Sequence, residues 1–120
     1  MANTFAKATK SSLVQSSTGT NESNTASTFD ILSLGTSSTA IILSILVSNK
    51  VGNSANANLY LLPYVTGTGV YLIKNAPIPA GSALEIISGS KIILNASDIL
   101  RASSDTASSL DMTISYLLQN

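Results

Sequence analysis

The sequence predicts an all-β protein, an antiparallel β-sandwich (jelly-roll-like) of about seven or eight short strands with an extended N-terminal arm. Three observations predict it. The C-terminal run alternates strictly: Leu110, Met112, Ile114, Tyr116 and Leu118 share one parity, while Asp111, Thr113, Ser115 and Gln119 fill the other, with Leu117 alone breaking the pattern. Successive strand side chains point to opposite faces, so this segment makes one oily and one wet face. Short apolar runs rich in β-branched residues recur about every ten residues, separated by polar and Gly/Pro turns. No segment carries a helical apolar stripe with caps.

Along the chain, residues 1–28 read as an N-terminal arm or loop segment, with a faint strand signal at 4–14 from Phe5, Ala6, Ala8, Leu13 and Val14. The polar stretch 16–25 holds too little apolar surface to offset the entropy of ordering it. Residues 29–120 form a single sandwich domain. In it, Phe29 and Ile31 alternate with Asp30, Leu32 and Leu34 in a short strand ended by Gly35. Ala40 to Ser48 is the strongest strand, with Ile41, Leu43, Ile45 and Val47 expected on one face and Ile42 and Leu46 interrupting a serine-bearing second face. Apolar cover on both sides places it centrally in its sheet. Residues 49–56 form a loop, and Leu59 to Thr66 the next strand, with Pro63 marking an edge or bulge. Val70 to Lys74 is another strand. Pro77-Ile78-Pro79-Ala80-Gly81 is extended and then turns. Leu84–Ile87 and Lys91–Leu94 flank Ser88-Gly89-Ser90 as a tight hairpin, and Ile99 to Ala102 precedes the final strand.

Composition restricts function. Six basic and six acidic residues cancel, and only 10% of residues are charged. The lysines and the arginine make no basic stripe of the kind that phosphate neutralisation demands, so nucleic acid is not an expected partner. Weak charge removes the repulsion that keeps a free monomer apart from its neighbours, which favours a protein that works in an assembly. The longest oily run, Ala40 to Val47, falls far short of the ~20 residues that span a bilayer, and no signal-peptide pattern opens the chain. The expectation is a soluble chain made in the cytoplasm, with no membrane contact.

Catalytic chemistry finds little to work with. There is no His and no Cys, so a Ser-His triad, thiol chemistry and thiolate metal sites are excluded. Ser88 with Lys91 and Ser48 with Lys50 are formal Ser–Lys dyads, but with 21 serines in the chain such proximity arises by chance. Asp98 and Asp105 sit in turns, where capping of backbone amides explains them. Glu85 and Asp111 lie on the wet parity of strands. No acid cluster has calcium-loop spacing, and Gly67-x-Gly69 is too short for a phosphate cradle. No enzyme activity, catalytic residue, metal or cofactor is expected. Tyr60, Tyr64 and Tyr71 are candidate interaction residues, either in subunit packing or in a carbohydrate-binding site.

Several segments resemble a known group of proteins. Met1-Ala2-Asn3-Thr4-Phe5 opens the chain. Thr39 to Asn49 follows a polar turn, Tyr71 to Glu85 carries the Pro-x-Pro-Ala-Gly turn, and Leu94 to Arg101 precedes the closing alternating strand. Together, over about residues 1–15 and 38–118, these resemble the small virion structural proteins of tailed bacteriophages, especially marine and cyanobacterial ones. The chain departs from that pattern at Ser97, where such proteins often have Gly, and in the serine-rich insert 16–27. The resemblance implies a β-sandwich located on the virion and made in the host cytoplasm. Such a protein acts as a capsid decoration (cement) protein or a neck or tail component, with the major capsid protein or other virion proteins as partners and a homo-oligomer, a trimer being favoured. Thr4, Phe5, Leu13 and Val14 are then the candidate arm residues for strand addition to a neighbour.

Overall fold

The computed structural model describes residues 3–16, 29–87 and 91–119. They form nine strands: β1 (Asn3–Lys10), β2 (Asp30–Ser33), β3 (Thr39–Asn49), β4 (Ala55–Leu62), β5 (Val70–Ile78), β6 (Ala83–Ile87), β7 (Ile92–Leu94), β8 (Ile99–Ser104) and β9 (Leu110–Gln119). The chain pairs as if folded in half. β1 pairs with β9, β2 with β8, β3 with both β6 and β7, and β4 with β5, all antiparallel. Rolling that nested ribbon adds the β3–β9 and β4–β8 pairings. Two sheets result, ordered β1-β9-β3-β6 (with β7 also on β3) and β2-β8-β4-β5. This is the jelly-roll order, and the sandwich read from the alternation is what the chain forms.

The core lies between the sheets and is aliphatic. Leu13, Ile42, Ile45, Leu59, Met112 and Ile114 are among its fully buried side chains. In β9 the alternation is realised as read: Leu110, Met112 and Ile114 are buried, and Tyr116 and Leu118 pack partly against the core.

Three local expectations are corrected. In β3, Ala40 and Ile42 point inward together with Ile45 and Val47, whereas Ile41 and Leu43 do not. A register shift between Ile42 and Ser44 places an extra residue, Leu43, in the strand and switches its parity halfway. An unbroken period of two cannot describe such a strand. The hairpin expected between Leu84–Ile87 and Lys91–Leu94 is absent. β6 and β7 both run antiparallel to β3 and so continue one another along the same side of it, and the Ser88-Gly89-Ser90 turn lies outside the described residues. The eleven-residue β3 is long enough to pair with both strands. Finally, Leu59–Thr66 is displaced: β4 begins at Ala55 and stops before Pro63, whose missing N–H ends the ladder.

The N-terminal segment is part of the sandwich. β1 is an edge strand in full register with β9, from Asn3↔Gln119 to Lys10↔Met112. Beyond it, the Leu13 N–H donates to the Leu110 carbonyl at 2.8 Å, and the Leu13 side chain is 1% exposed. The chain then crosses to the other sheet, where Ser104 donates to Val14 and Ser16 donates to Ser104. Of the serine-rich stretch, residues 17–28 lie outside the described residues. At the other end of β5, the Ser82 N–H donates to Pro79 at 3.2 Å across a turn with Gly81 at φ 69°. A left-handed third position is what glycine supplies at no steric cost, so the Pro-Ala-Gly run turns as the sequence implies.

Asp111 ties the crossing segment down. Its carboxylate accepts the Ser12 N–H at 2.7 Å and pairs with the Lys50 ammonium at 2.9 Å, and Lys50 also donates to the Ser12 hydroxyl. The Ser12 amide first, and Lys50 second, hold the Asp111 carboxyl below its ordinary value of 3.8. An acid depressed in this way stabilises the folded state above its unfolded value, and the contribution is lost as pH falls through the lowered one. Amide exchange at Ser12 and Leu13, corrected for intrinsic rates, should therefore quicken in the native chain as pH falls below about 4. Asp111→Asn should exchange faster already at neutral pH. Protection that ignores both changes would refute the tie.

Candidate interaction surface

The residues singled out from the sequence fall in three places. Thr4 and Phe5 stand exposed on β1, Phe5 at 78%. Leu13 is in the core and Val14 is half-buried beside Ser104, so neither belongs to a free arm surface. Tyr60 and Tyr71 are brought together on the outer side of the second sheet, ring centroids 5.0 Å apart and edge-to-face. Tyr60 is buried, with Gly69 so close over its ring that a Cβ there would overlap it. The Lys74 ammonium covers the Tyr71 ring at 4.4 Å. Tyr64 is separate from this pair in sequence register. It is exposed in the β4–β5 connection next to Val65, and its N–H is held by the buried carboxylate of Asp98 at 2.9 Å. Asp98 also accepts the Asn95 N–H within its own turn, as expected, whereas Asp105 reaches across to β4 and accepts the Asn56 N–H and side-chain amide. Lys50 is engaged by Asp111 and Ser12, so its pairing with Ser48 has no geometric support.

The register assembles a surface that none of those residues reveals alone. Across the outer face of the β1-β9-β3-β6/β7 sheet, Phe5 lies opposite Leu117, Leu117 opposite Ile41, and Ile41 opposite Ile93. All four sit on the parity that faces away from the core, and none of them belongs to the core cluster. The result is an apolar row running across four strands, ending on the edge strands in its two most exposed members, Phe5 and Ile93 (62%). The bulge adds Leu43 beside the row, and Leu46 is exposed farther along β3. Phe5, Leu43, Lys7 and Ser115 help line a shallow groove of about 380 Å³ on this side of the sheet.

The rest of that face is short and polar. On its central strands, β9 and β3, the outward positions are Thr, Ser and Gln apart from the row, Leu43, Leu46 and Asp111, and the charge of Asp111 is already met by Lys50. Lys7, Glu85 and Lys91 stand on or beside the edge strands. A face with an apolar centre and its charges at the rim has the anatomy of a protein–protein interface. No protein-family model matches the chain, and no curated protein is detectably similar to it. The surface must therefore be judged on its own chemistry. Among the described residues, no cluster of three or more Asp, Glu, His or Cys side chains has the grouping to hold a metal ion, and no helix is long and apolar enough to cross a membrane.

Sequence reasoning reached Phe5 but not its three partners. Leu117 carried a signal, as the one apolar residue on the wet parity of β9. Ile93 carried another: in Ile92-Ile93-Leu94 the middle residue must face opposite to its neighbours. Ile41 was hidden by the bulge, which reversed the parity assigned to the first half of β3.

Proposed function

We propose that this protein is a bacteriophage virion structural protein, a capsid decoration protein that binds and stabilises the shell through many weak β-sheet and apolar contacts. The observation that carries this reading is apolar surface where a solitary domain of this size would place charge: the row across the outer sheet face and the tip formed by Tyr64 and Val65. A lattice of identical sites rewards such surfaces, because simultaneous engagement converts weak contacts into firm attachment. Jelly-roll sandwiches are a frequent architecture of capsid proteins, which agrees with the reading at the level of fold analogy. The resemblance of the Pro77–Gly81 turn and its flanking strands to small phage virion proteins supplies the virion.

A neck or tail component is the neighbouring reading, and stoichiometry separates the two. In purified particles, quantitative mass spectrometry should find the chain at a copy number comparable to the major capsid protein. A copy number far below it would reassign the chain to the neck or tail, and its absence from particles would end the virion reading. A carbohydrate-binding role gains nothing from Tyr60 and Tyr71: Tyr60 is buried and Tyr71 meets it edge-on beneath Lys74, so the two present no open flat platform for a sugar ring.

A further inference from the structure

We propose that the outer face of the β1-β9-β3-β6/β7 sheet binds a second copy of this chain, about a two-fold axis that runs parallel to the strands between β9 and β3. The proposal deepens the assembly reading by naming the partner of the apolar row, puts a two-fold pair in place of the trimer that the resemblance favours, and does not depend on which particle the protein joins.

The row is self-complementary under that operation. Read across the sheet it is Phe5, Leu117, Ile41, Ile93. A two-fold rotation reverses the order, so Phe5 meets Ile93 of the second copy and Leu117 meets Ile41, leaving no apolar member against water. A two-fold contact requires this match of a patch with itself. The same rotation lays the charge-poor central strands over one another and leaves Lys7, Lys91 and Glu85 at the edges, where their long side chains stay solvated.

The size of the face is sufficient. Four strand positions about 4.8 Å apart and averaging about nine residues at about 3.3 Å each present roughly 600 Å². Two copies would then bury about 1,200 Å², within the range of specific interfaces. The rest of this sequence has little to cover the row with. Outside the described residues its apolar side chains are Met1, Ala2 and Ala26, in stretches otherwise made of Ser, Thr, Asn, Gly and one Glu. Pairing in this way leaves the Tyr64–Val65 tip of each copy uncovered, so a dimer offers a shell two attachment points instead of one.

Sedimentation velocity over a concentration series tests the proposal with the full chain. The native protein should sediment as a dimer in reversible exchange with monomer. Leu117→Lys, which places an ammonium at the centre of the row, should weaken the dimer about 100-fold or more with unchanged circular dichroism. Val65→Lys, at the tip, should leave it intact. Because the chain has no cysteine, Leu117→Cys gives a second readout that survives if the lysine variant fails to fold. A short bis-maleimide should convert it to a covalent dimer and leave Val65→Cys monomeric. A native chain that stays monomeric at all concentrations, or a dimer indifferent to Leu117→Lys, overturns the proposal. If Leu117→Lys instead abolishes attachment of a monomer to particles, the row belongs to the shell contact and the copy–copy pairing is wrong, while the virion reading stands.

Discussion

Leu13→Ala is expected to destabilise the sandwich by about 2–5 kcal/mol, the range for truncating a fully buried leucine. Leu13 is 1% exposed and belongs to the same buried cluster as Ile42, Leu59 and Ile114. Its N–H is bonded to Leu110 at the start of β9, so the side chain is held between the two sheets with little freedom to let neighbours collapse into the space it leaves. Such sites lie toward the upper end of the range, because the cavity remains. The consequence for truncation is sharp. If residues 1–15 were only an arm that adds to a neighbour, removing them would leave a folded sandwich. Instead their removal should unfold the protein or nearly so, since it deletes an edge strand, a core side chain and the Val14–Ser104 contact together. Removing residues 1–10 alone should be far milder, because on β1 only Ala6, Ala8 and Lys10 are even partly buried. Urea titration of the point variant and both truncations measures all three. A Leu13→Ala loss below about 1 kcal/mol would place the segment outside the core after all.

Asp30→Ala is the second large effect, at about 3 kcal/mol. Asp30 lies opposite Arg101, and its carboxylate accepts from the guanidinium Nε at 2.7 Å. The Arg101 side chain is 6% exposed on β8, the strand between β2 and β4, so the charge is sequestered and water cannot take the place of the carboxylate. Breaking a buried pair by removing one partner leaves a desolvated charge, which is why the loss exceeds what the pair itself contributes. Asp30 is 22% exposed, which keeps the estimate at the lower end of the range for wholly buried pairs. The double variant Asp30→Leu/Arg101→Met should regain much of the loss. If Asp30→Ala shifts the denaturation midpoint no more than an exposed ion pair would, about 0–1 kcal/mol, the pair is a surface decoration.

The strand readings that succeeded were those where local pattern and tertiary environment ask for the same thing. β9 alternates because one of its faces meets the core along most of its length. β5, by contrast, runs past the Lys74 at which the sequence reading ended it, through Pro77 to Ile78, because it is an edge strand, where Pro77 interrupts no second ladder. The failures share a cause. The parity of β3 switches at Leu43, the β6–β7 break continues along one partner, and β4 starts four residues before its apolar run. Each is decided by what the neighbouring strand offers, and a segment read alone carries no trace of its neighbour. The interaction surface shows the same division. Phe5 and the unexplained Leu117 were visible as exceptions, but their alignment with Ile41 and Ile93 exists only in the cross-strand register.

The amino-acid order alone determined that this chain is a β-sandwich, because alternation of oily and polar residues over short, turn-bounded runs has one inexpensive solution, two sheets closed on their apolar faces. It also removed the chemistry of histidine and cysteine. Only the tertiary structure decided that the N-terminal segment belongs to the body and that four scattered apolar residues form one continuous row. Both depend on which strands become neighbours, and that is set by closing the ribbon around a shared core, through contacts between segments from about fifty to more than a hundred residues apart.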